Sequence, residues 1–149
     1  MKKLITIITA AAVGATLLPA APAEAAAPVG WRAKPTITNK WSCGSTTNGA
    51  VFSIQTCIID DGGSYYQAAV LVRNRSTATR SASAIMTSDV VTNGSCAASG
   101  IGASSYSVCF APATYISSDT WVNVYGGAYD VPLRQEMSAN MQIGVIHPK

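Results

Sequence analysis

The sequence predicts an all-β protein, a single antiparallel β-sandwich or small barrel of about seven short strands stapled by two disulfides. Three observations lead there. Apolar residues alternate with a period of two along several runs. Clusters of Gly, Asn, Asp and Ser punctuate those runs. Four cysteines, an even number, follow an export-type leader. Beyond the leader no stretch longer than about 8 residues keeps a helical 3.6-residue period. The Cys…Trp…Cys spacing of an immunoglobulin domain is absent, so the architecture is predicted and not that family.

The leader comes first. Met1-Lys2-Lys3 is a basic start, and an apolar run from Leu4 to Leu18 follows, ended by Pro19. Small residues then present Ala23-Glu24-Ala25, with Ala25-Ala26-Ala27 as a second site. Residues 1–25 therefore read as a signal peptide of bacterial type, cleaved after Ala25 or Ala27. The apolar run falls short of the ~20 residues of a spanning helix, and no later segment is apolar enough to span a membrane. Residues 26–35, punctuated by Pro28, Gly30 and Pro35, read as a flexible N-terminal arm, and 36–149 as the secreted β domain. Removing Lys2, Lys3 and Glu24 leaves 8 basic and 6 acidic residues, a net charge of +2. Such a charge releases few counterions, which argues against nucleic acid as a partner. Nothing in the composition sets an oligomeric state.

Within the domain, residues 36–43 form the first expected strand. Residues 50–59 form the second, with Phe52, Ile54 and Ile58 on one face. Asp60-Asp61-Gly62-Gly63 is a turn, since glycine supplies positive φ and aspartate bonds its local backbone. Residues 64–73 follow, burying Tyr66, Ala68, Val70 and Val72. Tyr65 and Tyr66 then point oppositely, one of them to the rim. Residues 81–92 are the fourth strand, where the adjacent pairs Ile85-Met86 and Val90-Val91 suggest burial on both sides or a bulge. Residues 93–103 read as a small-residue loop, and 104–110 as a strand with Tyr106, Val108 and Phe110 on one face. An edge piece at 114–116 precedes a strand at 120–125 that faces Val122 and Val124 inward. Gly126-Gly127 marks a bulge or turn, 133–137 a helical turn, and 140–146 the last strand.

The cysteines are read as Cys43–Cys57 and Cys96–Cys109, because each pairing closes a short local loop with small residues at its tip. A ~15-residue loop gives about 3 kcal/mol per bridge in the loop-entropy account. Cys-x-x-Cys knuckles are absent, which argues against zinc. Residues 42–57 also parallel 95–109 in cysteine placement and in the patterns Phe52-Ser53-Ile54 and Tyr106-Ser107-Val108, suggesting two related units.

Catalytic chemistry finds little support, and the sequence predicts no enzyme, no cofactor and no metal site. His147, the only histidine, sits beside Pro148 near the end, where a Ser–His–Asp site would not be held rigidly. Of the acids, Asp60 and Asp61 are explained by their turn, and nothing pairs two carboxylates across a sugar-sized cleft. The glycines lack the Lys-Ser/Thr of a phosphate loop. Arg73, Arg75 and Arg80 flank a turn and read as a solvated face. Asn74-Arg75-Ser76 and Asn93-Gly94-Ser95 match the glycosylation pattern.

Binding has better material. Trp121, Asn123, Tyr125 and, if extension continues, Tyr129 share the strand face opposite Val122 and Val124. Flat rings stack on apolar sugar faces while amides bond hydroxyls, so this row predicts binding of an extracellular or cell-envelope polysaccharide. Two other readings stand beside it. One is an inhibitor of a secreted hydrolase, a secreted protein partner, acting through residues 97–107 tethered by Cys96–Cys109. The chain resembles small secreted inhibitors only in size and cysteine count. The other is a structural envelope-associated protein.

Overall fold

The computed structural model describes residues 30–131 and the backbone of 135–146. The leader, its cleavage sites and His147 lie outside the described residues. The all-β expectation holds, with two separately hydrogen-bonded antiparallel sheets and both predicted disulfides. The strands are β1 (Gly30–Ala33), β2 (Trp41–Cys43), β3 (Thr47–Asn48), β4 (Phe52–Gly62), β5 (Tyr65–Asn74), β6 (Arg80–Ser88), β7 (Gly94–Ile101), β8 (Tyr106–Phe110), β9 (Thr114–Tyr115), β10 (Thr120–Asp130) and β11 (Gln135–Ile146). The first sheet runs β1-β8-β5-β4-β2, with β3 also on β4 and β9 also on β5; the second runs β11-β10-β6-β7.

The central hairpin follows the predicted alternation. Phe52, Ile54 and Ile58 of β4 and Tyr66, Ala68, Val70 and Val72 of β5 enter one core with Val122 and Val124 of β10. Burying each such Val, Ile or Phe contributes roughly 1.5–3 kcal/mol. The turn between β4 and β5 has positive φ at Gly62, Gly63 and Ser64, and Gly62 N donates to Asp60 Oδ1 at 2.9 Å. Tyr65 faces out and Tyr66 in, as strand neighbours must.

Five expectations are corrected. The segment read as an arm contains β1, paired with β8 from Gly30↔Phe110 to Ala33↔Ser107. The strand expected at 36–43 is only Trp41–Cys43, because residues 34–40 are spent crossing the first sheet. The loop expected at 93–103 is mostly β7, whose Gly94 lies so close to Ala111 that a Cβ would come within 2.6 Å of the Ala111 Cβ. Gly126-Gly127 neither turns nor bulges. Both lie mid-strand in β10, and a Cβ on Gly126 would run into Thr56 Oγ1 and Val70 Cγ2 of the facing sheet. Finally, Gln135–Met137 is strand, not helical turn; Leu133 and Arg134 lie outside the described residues.

The fourth strand ends at Ser88, and its one register shift against β7 falls between Ala82 and Ala84, with the extra residue on β7. Ile85-Met86 is neither bulged nor buried on both sides, and Val90-Val91 lies beyond β6, with Val91 buried and Val90 packed against the core. Ala82, Ala84 and Met86 point into the core and Ile85 points to solvent, 60% exposed. Opposite them on β10 stand Asp130, Ala128 and Gly126. The missing side chain at Gly126 is what lets Thr56 and Val70 approach.

The two bridges play different parts, so the suggested repeat has no structural counterpart. Cys43–Cys57 joins directly paired residues of neighbouring strands, with Cα atoms 4.0 Å apart. Cys96–Cys109 links β7 of the second sheet to β8 of the first, with Cα atoms 5.9 Å apart. Trp31 Nε1 reinforces that seam by donating to Ala97 O at 2.7 Å.

Candidate functional site

The outer face of the second sheet is set by β10. Its burial alternates without a break from Trp121 to Asp130, even positions inward and odd positions outward. Trp121 and Tyr125 are 63% and 51% exposed, and Asn123 and Tyr129 are half-buried on the same side. The structure thus brings together all four residues picked out by the sequence. Four residues at a rise of ~3.3 Å put Trp121 and Tyr125 about 13 Å apart, and Tyr129 about as far again. β6 completes the surface: Thr87 pairs with Tyr125, Ile85 with Gly127 and Ser83 with Tyr129. Because Gly127 has no side chain, exposed Ile85 stands beside the gap between the two tyrosines. At the Trp121 end the register with β11 jumps from Val145 to Ile143, so Gly144 is the extra residue and β10 itself stays regular.

Asp89, which sequence reasoning did not single out, fixes the polar part of the row. Its Oδ1 accepts from Asn123 N at 2.9 Å and its Oδ2 from Asn123 Nδ2 at 2.7 Å. The bond from the Asn123 backbone N–H, then that from its side chain, holds the Asp89 carboxyl below its ordinary range. Ser88 Oγ donates to Asn123 O at 2.8 Å, and Ser88 N donates to Asn93 Oδ1 at 2.7 Å. The 88–93 turn is therefore clamped to β10 beside the rings. Its partners lie more than thirty positions apart in sequence, and only the register of β6 on β10 reveals them.

The outer face of the first sheet carries a second feature that alternation alone does not predict. β1 and β2 sit at opposite edges of that sheet. Four strand spacings of ~4.8 Å separate them by about 19 Å. The connection at 34–40 reaches at most ~27 Å, so it must cross directly, as a strap. Under it lies a cluster of Cys57, Ile59, Ala69, Leu71, Val108 and Phe110, with Trp41 set edge-on to Phe110 at 5.9 Å. A groove of about 340 Å³ opens between strap and sheet, with Trp41, Ile59, Phe110 and Pro35 on its walls and Arg32, Lys40 and Asp61 among its lining residues. Farther along, Lys34 Nζ lies 4.5 Å and the Arg73 guanidinium 5.3 Å from the Tyr106 ring centre. Tyr106 is thus an exposed ring among cations, where the sequence reading had it simply sharing a face with Val108 and Phe110.

The remaining candidates fall elsewhere. The proposed inhibitory loop at 97–107 is largely paired in β7 and β8. Its tip is pinned by Asn74, whose Nδ2 donates to Ile101 O and Gly102 O. Asn74 is fully buried, which makes it a structural residue and not a glycosylation acceptor in the folded protein. The basic trio separates: Arg73 joins Tyr106, Arg75 donates to Gly49 O at 2.8 Å, and Arg80 is half-buried. Asp60 and Asp119 both act on Tyr66, whose phenol is pushed above its ordinary range first by burial and then by those two charges. Among the described residues no cluster of three or more His, Cys, Asp or Glu could hold a metal, and no helix is long and apolar enough to cross a membrane. The disulfides indicate an oxidising compartment. No protein family, curated protein or solved structure matches the chain.

Proposed function

We propose that this is a secreted, non-enzymatic binding protein that lays an extracellular or cell-envelope polysaccharide along the outer face of its second sheet. The carrying observation is the unbroken outward row of Trp121, Asn123, Tyr125 and Tyr129 on one regular strand. Exposed rings grouped along one strand, rather than scattered singly, mark a binding surface, and their faces suit the apolar faces of sugar rings. Asp89 holds one amide hydrogen of Asn123, so the carboxamide is oriented before a ligand arrives and its other polar atoms can meet hydroxyl groups. The leader, cleaved after Ala25 or Ala27, would deliver the domain to the compartment in which its two bridges form.

The test is a tryptophan-fluorescence titration of the oxidised protein with a panel of soluble cell-wall and plant polysaccharides. Saturable blue shifts with at least one polymer, reduced in Tyr125→Ala, are expected. A flat response across the panel would overturn the glycan reading.

A further inference from the structure

We propose that the strap groove on the first sheet is a second, independent binding site, and that it takes a small organic anion with a flat apolar body, such as an aromatic carboxylate, sulfonate or phosphate ester. Three observations converge on that chemistry. The volume, about 340 Å³, lies at the lower end of the range for small-molecule sites, too small for a polymer segment of any length. Its walls are apolar and aromatic, with Trp41 only half-buried although it packs edge-on against Phe110. Its charged lining is two cations, Arg32 and Lys40, against one carboxylate, Asp61.

The sign of the surrounding field agrees. Arg32 pairs with Val108 across β1 and β8, and Arg73 pairs with Tyr106 across β5 and β8. These registers put both on the face that carries the Val108 and Phe110 cluster. Lys34 lies over the same Tyr106 ring. Arg32, Lys34, Lys40 and Arg73 therefore crowd one face of a molecule whose net charge is small, and a groove with low-dielectric walls focuses their potential. Arg32 can meet an anionic group in bidentate fashion while Trp41 and Phe110 receive the ring. The strap supplies Pro35 and Lys40 and the sheet supplies the rest, so the site exists only because the β1–β2 connection crosses this face.

The experiment is a proton–nitrogen correlation titration of the oxidised full domain with naphthalene-1-sulfonate at low salt, with uncharged 1-naphthalenemethanol as control. The expected result is saturable shifts of the Trp41 indole and the strap amides with the sulfonate. Affinity should fall about tenfold in Arg32→Gln/Lys40→Gln, the equivalent of one charge-assisted hydrogen bond lost. Both side chains are exposed, so the variant should fold as the parent does. Trp121→Ala should bind the sulfonate unchanged, which separates this site from the aromatic row on the opposite sheet. Absence of saturable shifts, equal binding of the neutral compound, or an unaltered affinity in the double variant would each overturn the proposal.

Discussion

The first sheet buries apolar side chains on both of its faces, whereas β6, β7 and β10 of the second bury them on one and turn the other, rings included, to solvent. Both sheets are antiparallel and both obey the two-residue period, so alternation does not make the difference. Connectivity does. The first sheet has β1 and β2 at opposite edges, and the chain between them must pass over its outer face. The second is built from β6, β7, β10 and β11, with β6–β7 and β10–β11 adjacent in both sequence and space, and neither of those connections has to cross a face. An outward Phe110 is therefore core, while an outward Trp121 is surface.

Truncations on the two outer faces should separate this difference most widely. Phe110→Ala removes a buried ring from the strapped cluster and should cost about 3–5 kcal/mol in urea unfolding followed by circular dichroism. The contact between the sheets is tested by Gly126→Ala, whose methyl must displace Thr56 or Val70; a loss of about 1–3 kcal/mol is expected in the same assay. Ile85→Ser and Trp121→Ala, on the open face, should each stay within roughly 0.5 kcal/mol of the parent. A large loss in either would mean that something covers that face.

Titration offers finer tests. Tyr66 is neutral in the fold, with its pKa raised by burial and then by Asp60 and Asp119. Its contribution is complete below the ordinary tyrosine value of 10.0 and is lost as pH climbs from there toward the higher folded value, because the unfolded phenol ionises first. Unfolding midpoints measured from pH 9 to 11 should decline, and Tyr66→Phe should flatten the decline. Asp89 has the opposite sign. Its depressed pKa makes the clamp on Asn123 complete above the ordinary 3.8 and lost as pH falls through the lower folded value. The Asn123 amide resonance should report that loss with little change in global stability, since Asp89 is exposed.

Where local pattern and burial agreed, the sequence was readable. The β4–β5 hairpin, both cysteine pairings and the outward row on β10 all follow from alternation, turn chemistry and short loop closure, although the turn expected at Asp60-Asp61-Gly62-Gly63 sits at Gly63-Ser64, with Asp60–Gly62 carried in β4 across a register shift. β7 was not readable, because Gly94, Ser95, Ala97, Ala98, Ser99 and Gly100 have weak strand propensity; pairing with β6 and the bridge at Cys96 hold it extended. Ile85 was not readable because its apolar bulk suggests burial, while the two-residue period of β6 turns Ala82, Ala84 and Met86 inward and leaves Ile85 on the outer face. The Asp89 clamp and the strap groove depend on residues far apart in the chain, and no spacing rule reaches them.

The glycan platform on the second sheet stands or falls with Trp121→Ala, its unfolding midpoint and its affinity for the best polysaccharide of the panel being measured on the same sample. A ring platform on β10 requires an unchanged midpoint with saturable binding abolished. An unchanged midpoint with unchanged affinity would contradict it.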